Sequence, residues 1–545
     1  MHEFSTLALP NLLSETVSLH GNRPALTFVG EDPMTYNELQ KKVNAVMAFL
    51  EKQGVKHGDR VALLSSNMPN WGVSFFAIAS MGAVVVPILP DFSKEEVENV
   101  LEHSEAKAIF VSQSLIKKAN LEKSKIEIVI KIEDFTITNS GVNDKIDFDA
   151  VATKEYIVAE DDLVSIIYTS GTTGKSKGVM LSHKNISFNA SASRKIQEIN
   201  SEDRFLSVLP LSHTYENTIG FLLPLICGAS IHYISKPPTP AVLLPALKQV
   251  RPTLMLTVPL IIEKIYKSKV QPAFTEKWAT RTLYSVPFLR KKFNALAGKK
   301  LMRTFGGELK FFGIGGAKLN KAVEKFLIEA KFPYAVGYGL TETAPLLAGM
   351  APFKSKLQST GPALEGVTLK IDNPGKLTGE GEIWAKGPNV MKGYYKEPGL
   401  TKEVLTDDGW FKTGDLGIVD NDNYLFIRGR SKNVILGPSG ENIFPEDIES
   451  VINNFKHVAE SLVISKKGKL VALVHFNKEE IEQQYKHMKE DVSNYVEHKC
   501  EELQKELRTY VNEKVNRFSK IQSVIRQKEE FVKTATKKIK RFMYA

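Results

Sequence analysis

The chain has 545 residues, of which 43% are hydrophobic and 25% are charged, a composition typical of a soluble globular protein. It excludes wholesale disorder and collagen-like or fibrous structure, and the length predicts several subdomains. The net charge of +10 is too small for this length to indicate a nucleic-acid partner. The chain has two cysteines, Cys227 and Cys500. This number excludes a disulfide framework and a cysteine-based metal site, and it favours a reducing cytoplasm.

The first residues have no basic stretch followed by an apolar stretch, so we expect no signal peptide. The most apolar segment, Val73–Pro90, reaches the length of about 18 residues that a membrane span requires. However, Gly82, Pro87 and Pro90 interrupt it, and Ala83–Leu89 is rich in β-branched residues. We therefore predict a buried helix that leads into a buried strand, and no transmembrane segment.

Short β-rich runs alternate with longer helical patterns through the first two thirds of the chain, which predicts an α/β fold with largely parallel sheets. The predicted strands are Arg60–Ser65, Ala83–Leu89, Ala108–Ser112, Leu163–Tyr168, Arg204–Leu209, Ala229–Ile234 and Leu254–Val258. Closely spaced glycines and aromatic residues in Gly379–Leu425 predict a small twisted β unit. Gly429–Gly440 has the composition of a linker, and in the last, α+β segment Lys486–Glu530 is predicted to be largely helical.

Two segments concentrate positive charge. Glu263–Arg303 has 11 Lys and Arg against two acidic residues, and Lys514–Ala545 has ten against two. One interpretation is solvated helix faces. The alternative is attraction to a polyanionic ligand or peripheral contact with an anionic membrane, such as the inner face of the cytoplasmic membrane.

A polar loop, Tyr168–Gly178, follows the apolar strand pattern Leu163–Ile167 and has the composition of a phosphate-binding loop. Glycines allow the backbone to approach a ligand closely, and hydroxyls, N–H groups and lysines can surround phosphate oxygens. The match to a P-loop fails at its first glycine, because Thr169 stands at that position. The candidate ATP-binding residues in the loop are Thr169, Ser170, Gly171, Thr172, Thr173, Gly174 and Lys175.

Four ordered motifs make the chain resemble the adenylate-forming superfamily of acyl-CoA synthetases, luciferases and peptide-synthetase adenylation domains. They are Tyr168–Gly178, Gly337–Thr343, Gly409–Asp415 and Arg428–Lys432, and the resemblance extends from Ala25 to Arg541. It implies a large N-terminal domain of several subdomains (1–430), built of parallel sheets with helices and a small β unit. A small, mobile α+β C-terminal domain (431–545) is expected to follow, with a hinge at Lys432.

The resemblance also implies how ATP binds. Thr169 and the loop would hold the β- and γ-phosphates, and Thr169 and Glu342 would bind Mg²⁺, which prefers few carboxylates together with phosphate and water. The motif of Glu342 also includes Gly339 and Thr341. The purine would lie beside Tyr338 and a backbone strip, and the ribose beside an Asp–Arg pair. The residues expected there are Gly315, Gly316, Ala317, Tyr338, Asp415 and Arg430.

Two catalytic residues follow from the resemblance. Lys533–Arg541 is similar to the mobile catalytic-lysine segment of the superfamily, and especially of long-chain fatty acid ligases, which assigns Lys538; its choice over Lys537 depends on register alone. His213 lies in a segment similar to the one whose histidine is beside the carboxylate substrate. One departure is Gly429, because many members have aspartate at that position.

The implied reaction is ATP-dependent fatty acid–CoA ligation with ATP, Mg²⁺ and coenzyme A. A carboxylate displaces pyrophosphate from ATP, and the thiol of coenzyme A then displaces AMP from the acyl-adenylate. The segment after His213 is apolar, with Glu216 its only acid, which favours an apolar acid, and Gly220 is expected to leave room for an acyl chain. The alternatives are an aryl acid, an acyl carrier protein as acceptor, a P-loop ATPase or kinase, and an inactive membrane scaffold.

Overall fold

We analysed a computed structural model of the full chain. It describes residues 2–121, 126–138, 145–169, 176–437, 441–485, 492–534 and 538–544.

The helices, numbered in chain order, have the following bounds: α1 Leu9–His20, α2 Tyr36–Lys52, α3 Pro69–Ser80, α4 Lys94–Ser104, α5 Ile116–Ala119, α6 His183–Ser193, α7 Leu223–Ile226, α8 Pro240–Val250, α9 Pro259–Ile265, α10 Gln271–Thr275, α11 Trp278–Ser285, α12 Pro287–Thr304, α13 Lys321–Glu329, α14 Pro398–Val404, α15 Pro445–Ile452, α16 Lys478–Tyr485 and α17 Val492–Asn512.

The strands have the following bounds: β1 Pro24–Phe28, β2 Met34–Thr35, β3 Arg60–Leu64, β4 Val84–Ile88, β5 Ala108–Val111, β6 Ile128–Lys131, β7 Thr136–Ile137, β8 Leu163–Thr169, β9 Lys177–Ser182, β10 Arg204–Ser207, β11 Ser230–Tyr233, β12 Leu254–Thr257, β13 Phe311–Ile314, β14 Tyr334–Gly339, β15 Leu346–Gly349, β16 Thr368–Asp372, β17 Gly381–Lys386, β18 Gly393–Tyr394, β19 Phe411–Val419, β20 Leu425–Arg430, β21 Ile435–Leu436, β22 Asn442–Ile443, β23 Val458–Lys466, β24 Lys469–Phe476 and β25 Ser523–Gln527.

Two large sheets with parallel centres form the main body, as the alternation of strands and helices predicts. One has the strand order β15-β14-β13-β12-β10-β11-β1-β2, and the other has β18-β9-β8-β4-β3-β5-β6-β7. Their inner strands pair in parallel, whereas the outermost pairs are antiparallel. The fold class is α/β, and each predicted strand in the list above is present to within two residues at either end.

The largest apolar core lies between these sheets and is centred on α2 and α3. The Trp71 ring stacks on Phe75 at 5.3 Å between centroids, and Phe221 meets both rings edge-on. The apolar stretch after Val73 is the buried helix α3 followed by the buried strand β4. Within the described residues, no helix is both long enough and apolar enough to span a bilayer.

Helix starts are fixed by local sequence. In α2 the Thr35 hydroxyl accepts from the Glu38 amide while the Glu38 carboxylate accepts from the Thr35 amide, a capping box that satisfies two free N–H groups. Ser182 and Asn185 form the same arrangement at the start of α6. This second box matters for the site because α6 begins directly where β9 ends.

The small β unit is confirmed as the antiparallel sheet β16-β17-β19-β20. The C-terminal part of the chain builds a separate sheet, β23-β24-β25, with its own apolar core. The prediction of a largely helical Lys486–Glu530 is wrong at its end, because α17 stops at Asn512 and β25 follows. The short β-branched run in β25 is surrounded by charged residues, and its strand conformation depends on parallel pairing with β24.

Candidate active site

The hairpin β8–β9 presents the ends of the predicted phosphate loop. Thr169, the last residue of β8, lies opposite Lys177, the first residue of β9. The predicted residues Ser170–Lys175 lie outside the described part of the chain. Strand β18 pairs with the outer side of β9, and Tyr394 lies opposite Val179.

Tyr394 connects this hairpin to the predicted metal-binding carboxylate. Its hydroxyl donates to Glu342 Oε1 at 2.9 Å, and Lys177 Nζ lies 5.1 Å from the centroid of its ring. The backbone carbonyl of Glu342 also accepts from the amide of Met391, at 2.9 Å. Glu342 is therefore held against the base of the phosphate loop, as a shared site requires.

The turn that carries Glu342 follows β14 and is fixed by two buried amides. Asn189 of α6 donates to the carbonyl of Leu346 at 2.8 Å, and Asn389 donates to the carbonyl of Thr343 at 2.9 Å. Neither residue was predicted to support the site, because an isolated asparagine in a sequence gives no sign of what it contacts.

Gly339 must be glycine at this turn. A Cβ atom on it would come within 1.9 Å of the carbonyl oxygen of Pro345, which is backbone and cannot yield. Thr341 is half-buried in the same turn, beside Glu342. The close approach of the two backbone segments explains why the glycine-rich motif is found here.

Asp415 and Arg430 are directly opposite each other on β19 and β20. Arg430 Nε donates to Asp415 Oδ1 at 2.9 Å, and the Tyr338 hydroxyl donates to Oδ2 at 2.8 Å. Burial raises the pKa of the Asp415 carboxyl, while Arg430, Tyr338 and Lys538 oppose that rise. The three predicted nucleoside-binding residues thus form one hydrogen-bonded group.

The predicted purine strip follows β13, on the sheet that also carries Tyr338. Gly316 and Ala317 are exposed, and Gly315 lies against the ring of Tyr215, where a Cβ atom would be 3.0 Å from ring carbons. Tyr215 comes two residues after His213, so the strip and the histidine segment are adjacent.

Lys538 belongs to the C-terminal part of the chain, and as a whole residue it is solvent-exposed. Desolvation of its ammonium group lowers the pKa, and Arg430 lowers it further, whereas Asp415 and Glu342 raise it. The amine is therefore within electrostatic reach of the predicted ribose-binding and metal-binding residues. The backbone carbonyl of Lys538 accepts from the Thr534 amide at 2.8 Å.

The predicted catalytic residue His213 is also influenced by the charge of Lys538. Desolvation lowers the pKa of its imidazole to about 4, and the charge of Lys538 contributes to the shift. Because the Tyr215 amide donates to Nδ1 at 3.2 Å, the neutral ring carries its proton on Nε2. The histidine is therefore a neutral hydrogen-bond donor at physiological pH.

A narrow apolar cavity of about 40 Å³ lies behind this segment. It is lined by side chains from α6, the π-helical turn Glu216–Leu222 and several strands of the first sheet, among them Ile196, Phe205, Ile219, Leu256 and Phe311. Gln197 lines both this cavity and a larger, more open one of about 390 Å³.

The expectation that Gly220 leaves room for an acyl chain is wrong in detail. A Cβ atom there would be 2.7 Å from the carboxyl of Glu216, so the missing side chain makes space for that acid. Glu216 is fully buried, accepts from the Ser207 hydroxyl at 2.6 Å, and has its pKa raised by burial to about 8. It is a protonated structural acid.

The sequence matches the AMP-binding enzyme family over residues 13–395, which is more than half of the chain. The chain belongs to the AMP-binding enzyme family. This membership removes the P-loop alternative.

Relatives agree with the family assignment. The chain is 30% identical to the chloroplastic long-chain-fatty-acid–[acyl-carrier-protein] ligase of Arabidopsis thaliana, over 87% of this chain and 77% of that protein. It is 29% identical to the long-chain-fatty-acid–CoA ligase heimdall of Drosophila melanogaster, over 82% and 72%.

A solved structure agrees in fold. O-succinylbenzoate coenzyme A synthetase from Bacillus subtilis, in complex with ATP and magnesium ion, superposes with a TM-score of 0.76 at 23% identity, covering 97% of this chain and 98% of that one.

The oxygen donors of this AMP-binding enzyme suit Mg²⁺. Glu342 and the Thr169 hydroxyl are hard oxygen donors, and a cation that keeps water and substrate phosphates needs few protein ligands. Within the described residues, no group of three or more His, Cys, Asp or Glu side chains could hold a metal by itself.

Proposed function

We propose that the protein is an ATP-dependent fatty acid–CoA ligase that works in two steps. A carboxylate first attacks the α-phosphate of ATP and releases pyrophosphate, and coenzyme A then attacks the acyl-adenylate and releases AMP. The observation that carries the proposal is the hydrogen-bonded group of Asp415, Arg430 and Tyr338 close to Glu342, which Tyr394 holds at the base of the phosphate loop. We propose that these residues line one cleft together with Lys538 and His213.

The residues of the cleft supply positioning and charge stabilisation. Asp415 accepts hydrogen bonds from the ribose hydroxyls, with Arg430 and Tyr338 holding its two oxygens in place. Lys538 bridges the acid's carboxylate and the α-phosphate, where negative charge accumulates in the transition state. His213 donates from Nε2 to the carboxylate and orients it. Mg²⁺, when bound at Glu342 and Thr169, neutralises phosphate charge.

The substrate is an apolar, fatty acid. The support comes from the apolar cavity lined by Phe205, Ile219 and Leu256, because none of the residues that line it is acidic. Burial contributes about 0.8 kcal/mol per methylene, which favours longer chains. The open cavity that shares Gln197 gives the chain a direction in which to extend.

A second acceptor deserves a direct test. The relative from Arabidopsis thaliana is named for ligation to acyl carrier protein, and it is as similar to this chain as the ligase named for coenzyme A. Transfer to a carrier protein would leave the adenylation step and its residues unchanged.

The test is a panel of acids with either coenzyme A or the holo form of an acyl carrier protein. We expect AMP and pyrophosphate with fatty acids and coenzyme A, with benzoates and amino acids much slower. Products are identified by chromatography. Formation of ADP and phosphate, or equal rates with amino acids and fatty acids, would refute the proposal. If the acyl product forms only with the carrier protein, the acceptor is acyl carrier protein and not coenzyme A.

We also propose peripheral contact with an anionic membrane. The excess of positive charge in Glu263–Arg303 supports it, because this segment contains eleven basic residues and two acidic residues.

A further inference from the structure

Helices α10 and α11 and the start of α12 form a surface lobe. No residue of α10 or α11 is buried. Four large apolar side chains nevertheless lie within eleven residues of this lobe: Trp278 is 74% exposed, Phe288 64%, Leu283 45% and Val286 45%. Exposed apolar residues are normally scattered singly, and clusters of them mark a surface that another body covers.

Positive charge surrounds this cluster. Between Glu276 and Glu308 the chain has eight Lys and Arg and no acidic residue. Arg290 pairs with Glu329 at 2.9 Å, and in the part of the chain that the structure describes, no carboxylate forms an ion pair with the other seven. Lys292 Nζ lies 4.4 Å from the centroid of Phe288, so a cation and an apolar ring share one face.

The underside of the lobe is already packed. The rings of Phe274 and Tyr284 stack with centroids 5.0 Å apart, and the Tyr284 hydroxyl donates to the buried Asn294 at 2.8 Å. The exposure of these apolar residues therefore does not result from incomplete packing inside the lobe. They are displayed on the outer side of a lobe that other contacts hold in place.

We propose that this lobe docks on an anionic bilayer, with Trp278, Leu283, Val286 and Phe288 entering the interfacial layer while the lysines contact lipid phosphates. Tryptophan and phenylalanine beside basic residues suit this layer, where the ring is partly desolvated and the cation stays hydrated. A strongly basic surface, in which Glu276 is the one acidic residue between residues 271 and 292, matches a fluid anionic headgroup layer, which needs no shape complementarity. The proposal deepens the peripheral contact proposed above and is independent of the ligase chemistry.

The test uses the full chain and vesicles of phosphatidylcholine with 30% phosphatidylglycerol, without ATP or acid. We expect flotation with the vesicles, and quenching of Trp278 fluorescence by brominated lipid. The Trp278→Phe variant should show no such quenching, which would identify Trp278 as the source of the signal. Trp278→Ser/Phe288→Ser should partition at least tenfold more weakly, and Lys291→Glu/Lys292→Glu should show a similar loss at low salt.

Two matched variants serve as controls. Ile157→Ser/Leu377→Ser removes two apolar side chains that are 87% and 101% exposed elsewhere, and Lys466→Glu/Lys467→Glu reverses two neighbouring exposed lysines. Both should bind vesicles as the unmodified protein does. Pyrophosphate release with soluble octanoate should be equal in all variants, which shows that they fold.

Three results would overturn the proposal. One is no flotation at 50 mM salt, and another is an equal loss in the control variants. The third is concentration-dependent dimerisation that the Trp278→Ser/Phe288→Ser change abolishes, without vesicle binding, which would assign the surface to a second copy. Vesicle binding by a protein without ligase activity would refute the proposed function but would still support membrane docking through this lobe.

Discussion

We propose that adenylation depends most on Lys538. Desolvation lowers the pKa of its ammonium group and Arg430 adds to that effect, whereas Asp415 and Glu342 oppose it. A cation held in this way is available to stabilise charge that appears only in the transition state.

We predict that Lys538→Ala slows formation of the acyl-adenylate about 100-fold or more while leaving the reaction of supplied acyl-adenylate with coenzyme A nearly unchanged. The two half-reactions are measured separately, by ATP–pyrophosphate exchange and by thioester formation. Lys540→Ala is the matched control from the same basic segment. Equal losses in both half-reactions, in a folded variant, would contradict the assignment.

Burial of Glu216 makes the stability of the folded protein depend on pH, although we propose no catalytic role for this residue. Its carboxyl titrates near pH 4.5 in the unfolded chain and has its pKa raised to about 8 by burial. Between these values the folded state holds one more proton than the unfolded state, so its stability falls as pH rises and levels off above about pH 8.

We predict that Glu216→Gln removes this part of the pH dependence. The difference in free energy of unfolding between the two proteins should change by about 3–4 kcal/mol, as an upper limit, between pH 5 and pH 8. Urea unfolding at several pH values measures it. Glu276→Gln, at an exposed position, is the control and should leave the pH profile unchanged. A constant difference at all pH values would show that Glu216 is ionised when folded.

At the scale of elements, α15 ties the lysine segment to the C-terminal sheet. The Arg541 guanidinium donates to Glu449 and lies 3.7 Å from Glu446 Oε1. Glu449 also accepts from the amide of Val463 on β23 at 2.7 Å, and burial raises its pKa to about 7, with Arg541 opposing the rise. The tether is three residues from Lys538.

We predict that Arg541→Ala lowers kcat for adenylation about tenfold and leaves KM for ATP nearly unchanged, because the lysine loses its fixed position while the nucleotide residues are untouched. Arg541→Lys should restore part of kcat. Adenylation kinetics and thermal unfolding are measured together, with Lys540→Ala as the control. If kcat is unchanged, or falls only as far as unfolding explains, Arg541 has no positioning role.

Gly429 belongs to the same region. A Cβ atom there would lie 2.9 Å from Phe444 and 3.1 Å from Glu446 Oε2. The aspartate that many superfamily members have at this position would therefore meet α15. The carboxylate of Glu446 occupies that space. Burial lowers the pKa of Arg430, but Asp415 and, to a smaller extent, Glu446 help to raise it above its ordinary value.

At the scale of the whole molecule, the two parts of the chain meet across the cleft. Lys318 Nζ lies 2.6 Å from Asp447 Oδ1, and Asn320 donates to Asn454 at 2.9 Å. We propose that this arrangement serves adenylation. We propose that residues 431–545 rotate about Lys432 before coenzyme A reacts, since one pocket serves two steps with different requirements.

We predict that fixing the two parts together spares the first step and stops the second. Lys318→Cys/Asp447→Cys, joined by a cleavable thiol crosslinker, should keep pyrophosphate exchange and lose at least about tenfold in thioester formation, with recovery after cleavage. The single-cysteine variants treated with the same reagent are the controls. Full thioester formation by the crosslinked protein would rule out rotation about Lys432.

The sequence by itself determined the fold class, the order of the strands along the chain and the residue types of the site. Strand periodicity is a local property of the sequence, and the motifs that suggest phosphate-binding and ribose-binding residues are short continuous stretches. Both could therefore be recognised without coordinates. The roles of Thr169, Glu342, Asp415 and Lys538 are implied by the resemblance of these motifs to the superfamily, and they stay predictions.

Only the tertiary structure decided the contacts that bridge distant segments. Asn189 and Asn389 support the Glu342 turn from 154 and 46 residues away, and Tyr394 reaches it from 52. The strand β25 exists because β24 pairs with it, and Gly220 makes room for Glu216 because a π-helical turn brings them together. Burial and partners set these roles, and both depend on long-range packing that local sequence does not encode.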